Sequence, residues 1–206
     1  MIDAVHVFAF LLPVIGISLV PGPDTVYVLN RSLSQGRLAG LVAALGSFTG
    51  VMCHISLSVA GFSALLMAST FGFIAVKIVG SGYLIYLGIR MLGKPGAPAS
   101  AGQLRQDKLR AVWFQGVLTN VLNPKVAVFF LAFIPQFIDP QHGQIPQQFF
   151  LLGIIFNAVG TSWLCSVALS SGKLSEWLRA NPLAVAWQQR VTGAVFIGFA
   201  AKLAFQ

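Results

Sequence analysis

The sequence predicts an all-α integral membrane protein of six transmembrane helices, arranged as two inverted three-helix repeats with helices one and four broken. Three observations carry that prediction. Hydrophobic residues make up 56% of the 206 positions and charged residues only 9%, far more apolar than a soluble domain. Apolar runs of roughly 20 residues, enough to cross about 30 Å of hydrocarbon at 1.5 Å per residue, recur along almost the whole chain. Proline clusters interrupt two of these runs at corresponding places in the two halves. No stretch remains for a soluble domain.

The first run, residues 4–33, is interrupted by "VPGPD" (Val20 to Asp24). It has no basic n-region and no small-residue cleavage site, so it is read as a retained helix and not a signal peptide. The second, residues 38–66, follows a stripe of Gly36, Gly40, Ala43, Ser47, Gly50, His54, Ser58 and Gly61 on one helical face. Its "GSFTG" (Gly46 to Gly50) is a small-xxx-small pattern that lets helices approach closely. The third, residues 71–92, carries Lys77 near one end, where it can snorkel to the interface, and Tyr83 and Tyr86 at core or interfacial positions. Residues 94–110, rich in Pro, Gly, Ala and Ser and then charged, form the linker between a first repeat (1–93) and a second (111–206). The fourth run, residues 111–137, is interrupted by "LNPK" (Leu122 to Lys125). The fifth and sixth are residues 149–170 and 183–203. Three spans per repeat is an odd number, so equivalent helices must run in opposite directions.

The formal charge of +8 is read as a topology signal, not as a nucleic-acid partner. Arg31, Arg37, Arg90, Lys94, Arg105, Lys108, Arg110, Lys173, Arg179 and Arg190 fall on one side, and outside the spans only Lys202 falls on the other. That places the first set in the cytoplasm and both termini outside it.

Each proline lacks an N–H and disfavours helical geometry in the residue before it. Pro21, Pro23 and Pro124 therefore free the carbonyls of Ile17, Leu19 and Asn120, which must face protein or a water-filled cavity rather than lipid. Pro23 and Pro124 each lie about 12 residues, roughly 18 to 20 Å, from the cytoplasmic end of their helix. Two breaks at one depth suggest one shared site; unrelated proline kinks are the plainer alternative. Each break also carries a charge, Asp24 and Lys125, that is costly to expose to lipid. The pair is either a structural ion pair or the two poles of a zwitterion site, with Asp24 for an ammonium and Lys125 for a carboxylate. Gly22 permits the turn, Asn120 adds donor and acceptor groups, and Asn123 is a further ligand or the cap of the second half-helix. His54 is a packing histidine or a proton-handling group.

Four stretches of the chain resemble the LysE/RhtB family of bacterial amino-acid exporters, over essentially its full length: "PGPDTVYVLNRSLSQGRLAG", "KIVGSGYLIYLGIRML", "GVLTNVLNPKVAVFFLAFIPQFI" and "VTGAVFIGFAAKLA". The combination of "TN..NPK" with "PQF" is the specific part, and the last stretch resembles leucine exporters in particular. The resemblance implies efflux of small amino acids or their derivatives across the bacterial cytoplasmic membrane, driven by the proton motive force. A lone acid at membrane depth fits a dicationic substrate poorly and favours leucine, threonine or homoserine. Family members often carry an acid in helix five, where this chain has Asn157, Gly160 and Ser162 around Trp163. Asp24 and His54 are then the proton-coupling candidates, and the two broken halves suggest alternating access.

A membrane thiol-redox carrier of similar build needs cysteines at the breaks, and there are none; Cys53 and Cys165 form no CxxC or metal pattern. A structural or lipid-interacting membrane protein needs neither charged break. The chain shows no nucleophile and base pair of an enzyme, and no cofactor or metal is expected. The expected partners are a small amino acid and membrane lipid, with homo-oligomerisation left open.

Overall fold

The structure, a computed structural model, describes residues 4–68, 106–139 and 143–181, with single helical positions between 78 and 92 and between 183 and 201. The third and sixth predicted spans, most of the linker, Lys77 and Tyr83 lie outside the continuously described residues. Among the described residues every regular element is helical. These are α1 (Ala4–Leu19), α2 (Pro23–Gln35), α3 (Arg37–Ala68), α4 (Leu109–Val121), α5 (Pro124–Val128) and α6 (Ile145–Ala180). A π turn (Phe129–Phe133) and a 3-10 turn (Ile134–Phe137) extend α5.

Within α3 and α6, Arg37–Gly61 and Ile145–Lys173 are each long and apolar enough to cross a bilayer. Two further apolar spans are bent: Val7–Leu19 with Pro23–Gln35 by 51°, and Leu109–Val121 with Pro124–Phe137 by 47°. The chain is a multi-pass membrane protein, and the first and fourth predicted spans are broken where their prolines stand.

The two bends share a local cause. Pro23 and Pro124 each occupy the first turn of the helix that follows, where a missing N–H costs nothing. Gly22 enters α2 extended, at φ −112° and ψ −175°. Asn123 enters α5 extended, and its side-chain oxygen accepts from the Lys125 backbone N–H at 3.0 Å. Gly36, at φ 86°, closes α2 by donating its N–H to Ser32 O, a left-handed position that suits glycine. The π turn falls just ahead of Pro135, whose ring would crowd the carbonyl of Leu131 in a regular α-helix. α6 runs ten residues beyond the predicted end at 170 and stops before Asn181, which precedes a proline. Its polar last turns leave the apolar stretch and need no hydrocarbon around them.

Small residues bring α3 onto α4. A Cβ on Gly116 would stand 2.6 Å from the Ala43 carbonyl, and one on Gly46 would collide with the Trp113 carbonyl. Backbone therefore meets backbone at this crossing, as "GSFTG" predicts. Two apolar clusters flank a polar layer. One contains Phe10, Val14, Ile17, Val51, Ile55, Val126, Phe129, Phe133 and Phe156; the other contains Val28, Ala43, Ala44, Val112, Leu164, Val167 and Ala168. Each of the four passes among the described residues changes from one cluster to the other through polar residues: Ser18 to Thr25, Ser47, Asn120 to Asn123, and Asn157.

Candidate functional site

The breaks meet in that polar layer. Asp24, in the first turn of α2, is buried, and its Oδ2 accepts from Asn123 Nδ2 at 2.6 Å and from Asn120 Nδ2 at 3.3 Å. Placing the carboxylate at a helix N-terminus also favours its charge. Asn123 is 1% exposed: its Oδ1 caps α5, as one of its two expected roles has it, while Nδ2 holds the acid of the other break.

Lys125 reaches the opposite way. Its Nζ donates to the carbonyls of Ile17 and Val20, both at 3.2 Å. The Ile17 carbonyl is one that Pro21 frees from the helical ladder, so a cation from the second break closes the first. Gly22 makes room for it: a Cβ there would stand 2.9 Å from Lys125 Nζ. The Asn120 carbonyl, freed by Pro124, accepts from Asn123 N at 2.9 Å and lies 3.3 Å from His54 Nε2. His54 also stacks on Phe130, with ring centroids 5.7 Å apart.

Asp24 and Lys125 make no direct salt bridge with each other. The physical reason is competition: amide donors hold the carboxylate and freed carbonyls hold the ammonium. Both residues instead line one cavity of about 40 Å³, room for about three waters. Ser18, Thr25, Ser47, Asn120, Asn157, Thr161 and Trp163 share its wall, with Ile17, Val51, Val126, Phe156 and Leu164 as the apolar part. Five buried polar atoms on this wall have no hydrogen-bond partner: Ser18 Oγ, Asp24 Oδ1, Ser47 Oγ, Asn120 Oδ1 and Trp163 Nε1. Buried polar atoms are normally paired, so their concentration around one cavity marks a place for a ligand or ordered water.

Of the residues singled out in the sequence, Asp24, Asn120, Asn123 and Lys125 converge, with Gly22 against Lys125. Pro21, Pro23 and Pro124 shape the breaks without lining the cavity, and His54 stands behind Asn120. Cys53 and Cys165 are free thiols away from the cavity wall. Ser18, Thr25 and Thr161 carried no sequence signal. Ser47 belonged to the small-residue stripe, and Asn157 and Trp163 stood out only as occupants of a helix-five position without an acid.

A second charged centre lies on α2, two turns beyond Asp24. Arg31, 3% exposed, bonds through NH2 to Asp107 Oδ2 and Gln115 Oε1 and through NH1 to Gln35 Oε1, each at 2.6 Å. Gln35 Nε2 donates to the Asp107 carbonyl at 2.9 Å, and Tyr27, under the guanidinium, donates to the Val112 carbonyl at 2.8 Å. Arg31 is thus buried, and it ties α2 to α4 and to the end of the linker.

Residues 15–206 match the family of LysE type translocators. An uncharacterized membrane protein of Pseudomonas aeruginosa is 32% identical over 202 residues, covering 96% of this chain and 94% of the relative. One of Vibrio cholerae is 33% identical, covering 97% of each chain. A leucine efflux protein of Salmonella typhimurium is 30% identical over 200 residues, 96% of this chain and 93% of the relative. No solved structure matches.

Proposed function

The chain belongs to the LysE type translocator family, and from that premise we propose that it exports small neutral amino acids of the leucine, threonine or homoserine class across the cytoplasmic membrane. The observation that carries this reading is the cavity between the two breaks, where a carboxylate and an ammonium line one wall without pairing. An α-amino acid brings the complementary charges. Asp24 Oδ1, open and buried, accepts from the substrate ammonium, and Asn120 and Asn123 hold that carboxylate in place. Lys125 supplies the positive field for the substrate carboxylate. The apolar wall of Ile17, Val51, Val126, Phe156 and Leu164 takes the side chain.

The cavity has too little volume for an amino acid as it stands, so the breaks must part for one to enter. Movement of one repeat against the other around the fixed pair, with both termini outside the cytoplasm and the proton motive force as driver, completes the reading. Substrate-resolved export tests it: cells or inside-out vesicles loaded with leucine, threonine or homoserine, wild type against Lys125→Ala. Export of at least one that depends on Lys125 is expected. Equal fluxes for every candidate would leave a structural membrane protein as the better account.

A further inference from the structure

Trp163 is a donor in the cavity wall that no described residue of the protein uses. Its indole nitrogen is buried without a partner, and an indole N–H can only donate. What it meets must therefore be an acceptor. Asp24 Oδ1, open in the same wall, is the converse case: an ionised carboxylate oxygen can only accept. One cavity thus leaves open a donor-only and an acceptor-only group, carried by different helices. Lys125, by contrast, already has two of its three N–H groups on the Ile17 and Val20 carbonyls.

Ser18 joins Trp163. Its hydroxyl is buried and unpartnered, and it lies 3.8 Å from where a Cβ on Gly160 would stand. Gly160 and Trp163 are three residues apart on α6 and share a helical face, so hydroxyl and indole border the same stretch of wall. We infer that Trp163 Nε1 and Ser18 Oγ form the carboxylate subsite of the cavity and make the protein select α-amino acids over amines bearing the same side chain. Lys125 then adds charge while it holds the broken helix. This rests on the amino-acid export reading and deepens it.

The test is counterflow of radiolabelled leucine into proteoliposomes of the purified protein, with leucine and 3-methylbutylamine, which is leucine without its carboxylate, as competitors. Trp163→Phe keeps a ring and removes the N–H. It is expected to weaken leucine competition about tenfold or more while leaving the amine within about twofold, so that selectivity collapses. Ser18→Ala should move the ratio the same way by a smaller factor, and decides the matter if Trp163→Phe does not assemble in the membrane. Equal weakening of both competitors would make Trp163 a packing residue and overturn the inference while sparing the export reading, as would unchanged selectivity. Wild-type protein that moves none of leucine, threonine and homoserine overturns both; where only threonine or homoserine moves, it and its decarboxylated amine take leucine's place in the same competition.

Discussion

Two buried charge centres among the described residues are built by opposite rules. Around Arg31 the protein supplies an opposite charge itself: a carboxylate, two glutamine oxygens and a tyrosine ring surround the guanidinium, and the partners come from α2, the linker end and α4. Around Asp24 and Lys125 it stops short. The two charges share a wall, reach past each other to neutral groups, and leave open polar atoms around a small cavity. A buried charge is costly unless answered. Where an opposite charge of the protein answers it directly, the charge holds the fold together; where only neutral groups do, around a cavity, something else is expected to complete the answer.

If that contrast is sound, damage at the two centres must surface in different measurements. Lys125→Ala is the largest effect. It removes a charged donor from two carbonyls and the positive charge from the cavity wall, so export should fall about 100-fold or more while membrane-inserted protein stays within about twofold. Loss of the protein itself in proportion to the loss of flux would erase the difference between the centres.

Arg31→Ala comes next, and its signature is stability. Breaking a buried pair costs about 3–5 kcal/mol, and the lower end or below applies because the Asp107 side chain is a third exposed. Taking about 2–3 kcal/mol, the thermal midpoint in detergent should drop by about 4 to 12 °C, with export per folded molecule changed by less than about threefold. An unchanged midpoint with abolished export would move Arg31 into the transport machinery.

Much of this architecture was legible because its causes are local. Proline physics placed both breaks, hydropathy placed four spans on the described residues, and equal depth suggested that the breaks meet, as the 2.6 Å bond from Asn123 to Asp24 bears out. What was not legible depends on long-range partners. Lys125 seats on carbonyls more than a hundred positions earlier, and Arg31 pairs with an acid 76 positions later. In the sequence an arginine near a cytoplasmic helix end reads as a topology charge. Ser47 reads as a small packing residue and Trp163 as an apolar one, since nothing local says that their polar atoms are left open.

Gly22→Ala sharpens the comparison from inside the open centre. The added methyl would press on Lys125 Nζ at 2.9 Å and Cε at 3.2 Å, but the far end of a lysine can shift. The expected result is a rise of about three- to tenfold in the KM for export with little change in stability, because one charge-assisted hydrogen bond is weakened and not removed. Loss of folded protein instead would mean that the turn, and not the lysine's seat, is what glycine provides here.

The smallest expected effect belongs to His54, and it separates the centre from its support. Its ring stacks on Phe130 and meets the Asn120 carbonyl, yet it lies outside the cavity wall. A side chain so placed backs Asn120, which in turn donates to Asp24. His54→Gln offers an amide donor in place of the ring nitrogen, so export should change by less than about threefold and keep its dependence on an imposed pH gradient. Asp24→Asn is the contrasting variant: the acid in the wall can carry the proton, and its amide cannot, so the gradient should no longer drive export. If His54→Gln loses gradient dependence and Asp24→Asn keeps it, proton traffic runs behind the break, and the open carboxylate serves the substrate alone.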